Sequence, residues 1–342
     1  MNSIPPTRDG RGKAAGPAFL TGLLLLALAV LTIQLQKALT NCLPETYHLF
    51  SNYLDLKLPL IFKARLLMRA LIRALAAARL FGGDPARVNT LLQVLFLWAG
   101  LGLILRIARR FVPHPAIACA APLLACAFLP WGFLENGFNM SYPYDLPVVF
   151  FSALAIWFIV SGQYWPLLAT IVLGTLNKET MVWLVPVYVL QSLLEGGPRA
   201  RRWLRSILLG GAFAACYLGP RVLMGTPDDH AALTFSSRAD QVLKNGAIAH
   251  TRLQSNLQEL RLNHRGRFYQ NVYWVFLLHL PALIGWRRLP RQLRLLYAGV
   301  PFLLVPLFVF GNICELRLYN EIIPLGAVAA TCVLGNFQQV EA

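Results

Sequence analysis

Apolar runs recur along the whole of this chain, and no other feature restricts its fold as strongly. They lie near 18–38, 89–107, 115–132, 146–161, 164–176, 180–194, 206–224, 271–286, 295–311 and 319–336. A helix needs roughly 20 apolar residues to cross a bilayer, fewer where it is tapered or partly enclosed. The pattern predicts an all-α, polytopic transmembrane helical bundle of about ten spans, a single transmembrane domain over 1–342. Composition agrees, since 13% of the residues are charged and 57% hydrophobic, whereas soluble domains carry roughly 25% charged residues. Nothing in the sequence marks a separate soluble domain.

Charge gives the bundle a direction. The net charge is +16, but the basic residues fall in short connections between apolar runs. That distribution points to membrane lipids as partners and not to nucleic acid, because no basic domain is present to bind one. With the N-terminus cytoplasmic, the inner connections hold Arg8, Arg11 and Lys13, then Arg106, Arg109 and Arg110. They continue with Arg199, Arg201, Arg202 and Arg205, and with Arg287, Arg288, Arg291 and Arg294. All four clusters then obey the positive-inside rule. The run from Phe19 to Ile33 is long for a cleaved signal and lacks an A-x-A site, so it reads as a retained anchor.

The same layout sends most carboxylates to the outer face. Asp228, Asp229, Asp240 and Glu259 belong to a long polar connection, 225–270, where acids are simply solvated. Those in short junctions are different, because a carboxylate close to hydrocarbon is costly unless it is paired or faces a water-filled cavity. The cysteines and histidines show no zinc or redox spacing, and P-loop, Rossmann and GxSxG patterns are absent. No metal ligands are assigned.

Several segments depart from simple spans. The first outer loop, 40–88, contains "LPLIFKARLLMRALIRALAAARLFGG", in which Arg65, Arg69 and Arg73 recur every fourth residue opposite leucines. This predicts an amphipathic helix in the membrane interface. Headgroup anchoring accounts for its arginines, and so does contact of Lys63, Arg65 or Arg69 with the phosphate of a lipid-linked substrate. "LNKET" interrupts the region 164–194 and places Asn177, Lys178 and Glu179 near membrane depth. Lys178 and Glu179 point apart as neighbours, so each requires its own partner, in a structural ion pair or along a polar cavity. In "YPYDLP" the prolines put Asp145 near a helix start, where it serves as a cap or as a site group, while Tyr142 and Tyr144 suit an interfacial belt. "ELRLYNEIIP" supplies Glu315, Arg317 and Glu321, the last two spaced to pair on a helix.

Taken in order on one face, "LPETYHLFSNYLDL", the amphipathic segment, "YPYDLP", "LNKET" and "ELRLYNEIIP" resemble short bacterial members of the GT-C class of integral-membrane glycosyltransferases. The resemblance implies an inverting transfer of sugar from a polyprenyl-phosphate-linked donor at the outer face of the inner membrane. It implies Glu45 as the first-loop catalytic carboxylate, with Tyr47 beside it and Asp55 as the second choice. Arg65, Lys178 and Arg317 would stabilise the departing lipid phosphate. Asp145, Glu179 and Glu321 would bind sugar hydroxyls or a divalent cation. The chain lacks the paired Asp-Glu of the larger enzymes' first loop and has no soluble C-terminal domain. The alternatives are a transporter or flippase of a lipid-linked or anionic solute, and a non-catalytic assembly factor for envelope polysaccharide. The sugar, the acceptor, the cofactor and any protein partners are not readable from the sequence.

Overall fold

A computed structural model describes residues 15–40, 50, 54–55, 64–130, 142–194, 198–224, 267–310 and 316–338. The described residues form helices and no strands. In chain order these are α1 (Ala15–Thr40), α2 (Leu66–Ala77), α3 (Pro85–Phe111), α4 (Pro115–Ala118), α5 (Ala120–Phe128), α6 (Asp145–Ser161) and α7 (Tyr164–Asn177). There follow α8 (Leu184–Leu194), α9 (Arg199–Met224), α10 (Arg267–Ile284), α11 (Arg291–Gly299), α12 (Pro301–Phe310) and α13 (Ile323–Gln338). Short 3₁₀ segments, Glu179–Trp183 and Leu316–Ile322, precede α8 and α13. Every predicted apolar run is helical over most of its described residues. Two of them break, 115–132 at Cys119 and 295–311 at Val300.

Three described helices are long and apolar enough to cross a membrane: Ala18–Leu35 within α1, α3 and α9. They differ in what covers them. Half of α3 is buried, but only 22% of the α1 window and 17% of α9 are. Leu20, Leu24 and Leu31 on α1, and Ile207, Val222 and Leu223 on α9, are exposed. In water that much exposed apolar surface would be a liability, whereas in lipid it is the ordinary condition of a peripheral span.

The core is centred on α3 and α6, with Leu97, Leu101 and Ile104 against Val148, Val149, Phe151 and Ile156. Gly100 lets the two backbones approach, since a Cβ there would lie 3.3 Å from Phe150 Cα. Helix α13 uses small residues for the same purpose: Gly326, Ala327, Ala329 and Ala330 lie along it, and a Cβ on Gly326 would meet the His279 ring of α10 at 2.7 Å. His279 in turn bonds the Tyr297 hydroxyl of α11 through Nδ1, at 2.8 Å.

Side-chain contacts sort the helix termini into two groups. At one end, Arg106 of α3 stacks on Trp157 of α6 at 4.3 Å, and Arg205 of α9 on Tyr164 of α7 at 5.0 Å. Arg202 of α9 donates to the Ser192 carbonyl of α8 at 2.9 Å, and Asn336 of α13 to the Arg288 carbonyl at 3.1 Å. The basic connections following α3, α8 and α10 are therefore gathered at this end. The start of α1 lies toward it, since Trp98 Nε1 donates to the Gly22 carbonyl while Lys37, near the end of α1, donates to Thr90 at the start of α3. The opposite end collects the starts of α2, α6 and α13 and the ends of α7 and α9, and the buried charges are there.

The segment expected as an amphipathic helix is α2, one side of which buries Met68 and Ile72. Arg65 is its N-cap, Arg69 lies one turn on, and Arg73 is half exposed and meets Asp55 at 3.6 Å. Helix α6 begins one residue differently from expectation: Tyr144 is the N-cap and Asp145 the first helical residue. Pro147 lies inside the first turn, where its missing N–H has no intrahelical role to fill.

Candidate functional site

The site is built on a helix interruption. Helix α7 ends at Asn177 because Lys178 takes an extended conformation, φ −158° and ψ 129°, before the chain coils again at Glu179. That single extended residue sends two neighbouring side chains in different directions, as expected, although the separation comes from a break between helices and not from two faces of one. Lys178 is anchored by its own backbone N–H, which donates to the Gly174 carbonyl at 2.7 Å. Asn177 Nδ2 donates to the Tyr144 carbonyl at 3.0 Å and ties the end of α7 to the start of α6.

Lys178 is 1% exposed, and its ammonium lies 3.4 Å from Asp145 Oδ1 and 2.9 Å from Glu321 Oε1. The Thr180 hydroxyl donates to the same Glu321 oxygen. Asp145 and Glu321 are as deeply buried as Lys178. One ammonium thus joins the first residue of α6, the α7–α8 break and the 3₁₀ turn ahead of α13. Burying an ion away from water costs several kcal/mol, so the three are compatible with an apolar bundle only as a group.

Glu179 starts a second layer. Arg65 grips it bidentately, Nε to Oε2 at 3.0 Å and Nη2 to Oε1 at 2.6 Å. Arg221, near the end of α9, brings Nη2 to 4.0 Å from Glu179 Oε2. Each guanidinium also lies over a tyrosine, Arg65 over Tyr144 at 4.2 Å and Arg221 over Tyr217 at 3.8 Å. Tyr142 stacks on Tyr144 with ring centroids 5.2 Å apart. The Glu179 side chain retains 19% exposure, so this layer is closer to open space than the Lys178 layer. Together the layers hold three cations, Arg65, Lys178 and Arg221, and three carboxylates, Asp145, Glu179 and Glu321, which sum to zero.

The structure therefore brings together Arg65, Tyr142, Tyr144, Asp145, Asn177, Lys178, Glu179 and Glu321. The sequence left Asp145 and Lys178 open between a structural role, as a cap or an ion pair, and a polar cavity; with Glu321 they are buried, and both carboxylates pair with the Lys178 ammonium. Asp55 stands in the half-exposed pair with Arg73. Glu321 meets Lys178 and Thr180, while the side chain of Arg317 lies outside the described residues. Glu45, Tyr47, Lys63 and Glu315 also lie outside them.

Sequence reading missed Arg221 and Thr180. The signal for Arg221 was an arginine beside Pro220 inside an apolar run, where a charge is unusual. Several buried polar atoms around the layers have no hydrogen-bond partner among the described residues: Asn177 Oδ1, Glu321 Oε2, and both Oδ1 and Nδ2 of Asn320. Such atoms usually bond to water or to a ligand group. No His, Cys, Asp and Glu grouping suited to a metal occurs among the described residues. Comparison with known protein families, with curated proteins and with solved structures finds no match.

Proposed function

We propose that this chain is a membrane-embedded glycosyltransferase acting at the outer face of a bacterial inner membrane, with a polyprenyl-phosphate-linked sugar as donor. In this reading the chain makes about ten spans with its N-terminus cytoplasmic, and α2 lies in the outer interface. The observation that carries the proposal is the neutral group of six charges at one end of the bundle, opposite the arginine-rich connections. Replacing a buried ion network by well-packed apolar residues is often neutral or stabilising, so stability alone gives little reason for an apolar chain to keep one. Ionisable groups at such positions mark function by default.

The chemistry follows from the layers. The Glu45 carboxylate accepts the proton of an acceptor hydroxyl, whose oxygen attacks the anomeric carbon. The bond from that carbon to the phosphate oxygen breaks, and the phosphate leaves with the electron pair. Arg65 and Arg221, in the layer nearer open space, offer the cationic surface that stabilises it. Lys178, Asp145 and Glu321 form the floor that fixes Glu179 and the start of α6. The segment carrying Glu45 runs from the end of α1 to Arg65, so its second anchor is itself part of the site.

The test is transfer from polyprenyl-phosphate-linked hexoses by the purified chain in liposomes. Product should form with the native chain and vanish in Glu45→Gln, with folding retained. A carrier reading is favoured by one observation, the helix broken at charged residues, which is a common transporter device. Solute movement by the native chain without any glycosylated product would replace the enzyme by the carrier.

A further inference from the structure

The six charges divide unevenly between their layers. Lys178 against Asp145 and Glu321 leaves a net −1, whereas Arg65 and Arg221 against Glu179 leave a net +1 among the described residues. The positive excess lies in the layer nearer open space. Glu179 is the most exposed member of that layer, its side chain at 19% against 9% for Arg65 and 6% for Arg221. The carboxylate also serves its two cations unequally. Arg65 takes both of its oxygens, while Arg221 Nη2 stands 4.0 Å from Oε2, beyond hydrogen-bond length. Both guanidiniums are positioned by contacts other than Glu179. Arg65 lies over the buried Tyr144 ring, and Arg221 lies over Tyr217 and donates through Nη1 to the Tyr217 carbonyl at 2.8 Å.

We propose that Glu179 is an internal stand-in for a phosphate monoester, occupying the seat between Arg65 and Arg221 until such a ligand displaces it. A phosphate monoester brings three acceptor oxygens and close to two negative charges at neutral pH, where the carboxylate brings two oxygens and one charge. It can keep the fork on Arg65, reach Arg221 with its further oxygen, and match two cations with two charges. The Glu179 side chain then turns toward the open side. The backbone beneath it stays in place, because Lys178 is held by Asp145, Glu321 and the Gly174 carbonyl. The inference rests on the function proposed above for the presence of a phosphate at these two arginines. It adds that the resting site is closed by its own carboxylate.

The test measures binding without any sugar transfer. The full-length chain in dodecyl maltoside is titrated with decyl phosphate and with inorganic phosphate at constant ionic strength, and the heat of binding is recorded. Tighter binding of decyl phosphate would support the seat and mark its ligand as lipid-borne; equal affinities would support it and mark a free phosphate. Glu179→Gln should tighten binding about tenfold, since the amide keeps the shape of the side chain and removes the competing charge. Arg221→Gln leaves the Arg65–Glu179 pair whole and should weaken binding about tenfold. Arg73→Gln, in the half-exposed pair with Asp55, should change nothing. An affinity unchanged or weakened in Glu179→Gln would make the carboxylate a fixed partner of Arg65 and overturn the inference. So would binding that Arg221→Gln leaves intact, an outcome that can be read even where Glu179→Gln does not fold. Absence of binding by both the native chain and Glu179→Gln would overturn it as well. A chain that binds phosphate in the expected pattern and transfers no sugar would keep the stand-in and lose the transferase reading.

Discussion

Replacement of Lys178 by methionine isolates the energetics of the sealed layer. The substitution keeps most of the side-chain volume and removes only the ammonium. At an effective dielectric near 20, that ammonium attracts each carboxylate by about 5 kcal/mol at distances of 3.4 and 2.9 Å. Desolvation of the three ions cancels much of this gain. Breaking a buried pair by deleting one partner nevertheless costs about 3–5 kcal/mol, because the remaining charge stays buried without compensation. Lys178→Met should therefore lower stability by about that amount, measured by titrating the purified protein from dodecyl maltoside into sodium dodecyl sulfate and following helicity. Arg73→Ala is the control, since the half-exposed pair with Asp55 should be worth less than about 1 kcal/mol. Glu321→Gln in the Lys178→Met background should cost less than the sum of the two single changes, by about 1–3 kcal/mol, as for directly coupled neighbours. A loss below about 1 kcal/mol for Lys178→Met, or strict additivity, would show that water reaches the ammonium and would refute the sealed layer.

Gly299→Ala should destabilise by about 1–3 kcal/mol, as overpacking does, because the added Cβ would lie 1.8 Å from Val187 Cγ2. Val187→Ala in that background should recover part of the loss in the same titration. For topology, reporters fused after residues 113, 197 and 289 should read as cytoplasmic and those after 140 and 226 as external. A cytoplasmic signal after residue 140 would reverse the bundle and move the buried charges to the inner face.

Much of the fold was readable because hydrophobic runs and proline positions are local signals. The start of α6 was visible from Pro143 and Pro147, and the break at Lys178 from a polar triplet between two short apolar runs. The gathering of arginines at one end of the bundle and of buried carboxylates at the other was visible because it follows from the alternation of helices along the chain. Partner identity was not. Nothing near Glu179 in the chain names Arg65 or Arg221, and the spacing of Arg317 and Glu321 offered Glu321 a local partner, whereas the ammonium it meets belongs to Lys178. Those contacts are set by how the helices pack. The sealing of Lys178 was equally hidden, since an open cavity and a closed ion group draw on the same residue types.

The joining of Lys178 to Glu321 also fixes an order of events during biosynthesis. Thr180 and Glu321 are separated by 141 residues, a span that takes a ribosome roughly 7–30 s to add at ordinary rates. Through that interval α7 and α8 are already synthesised, and Asp145 is the carboxylate of this layer available to Lys178. Addition of α13 delivers the second carboxylate together with the small-residue face that packs on α10. The last helix thus acts as the closing element of the whole polar end. A chain stopped before residue 316 would leave the buried Lys178 ammonium with Asp145 and without Glu321, an incomplete charge group whose burial costs several kcal/mol.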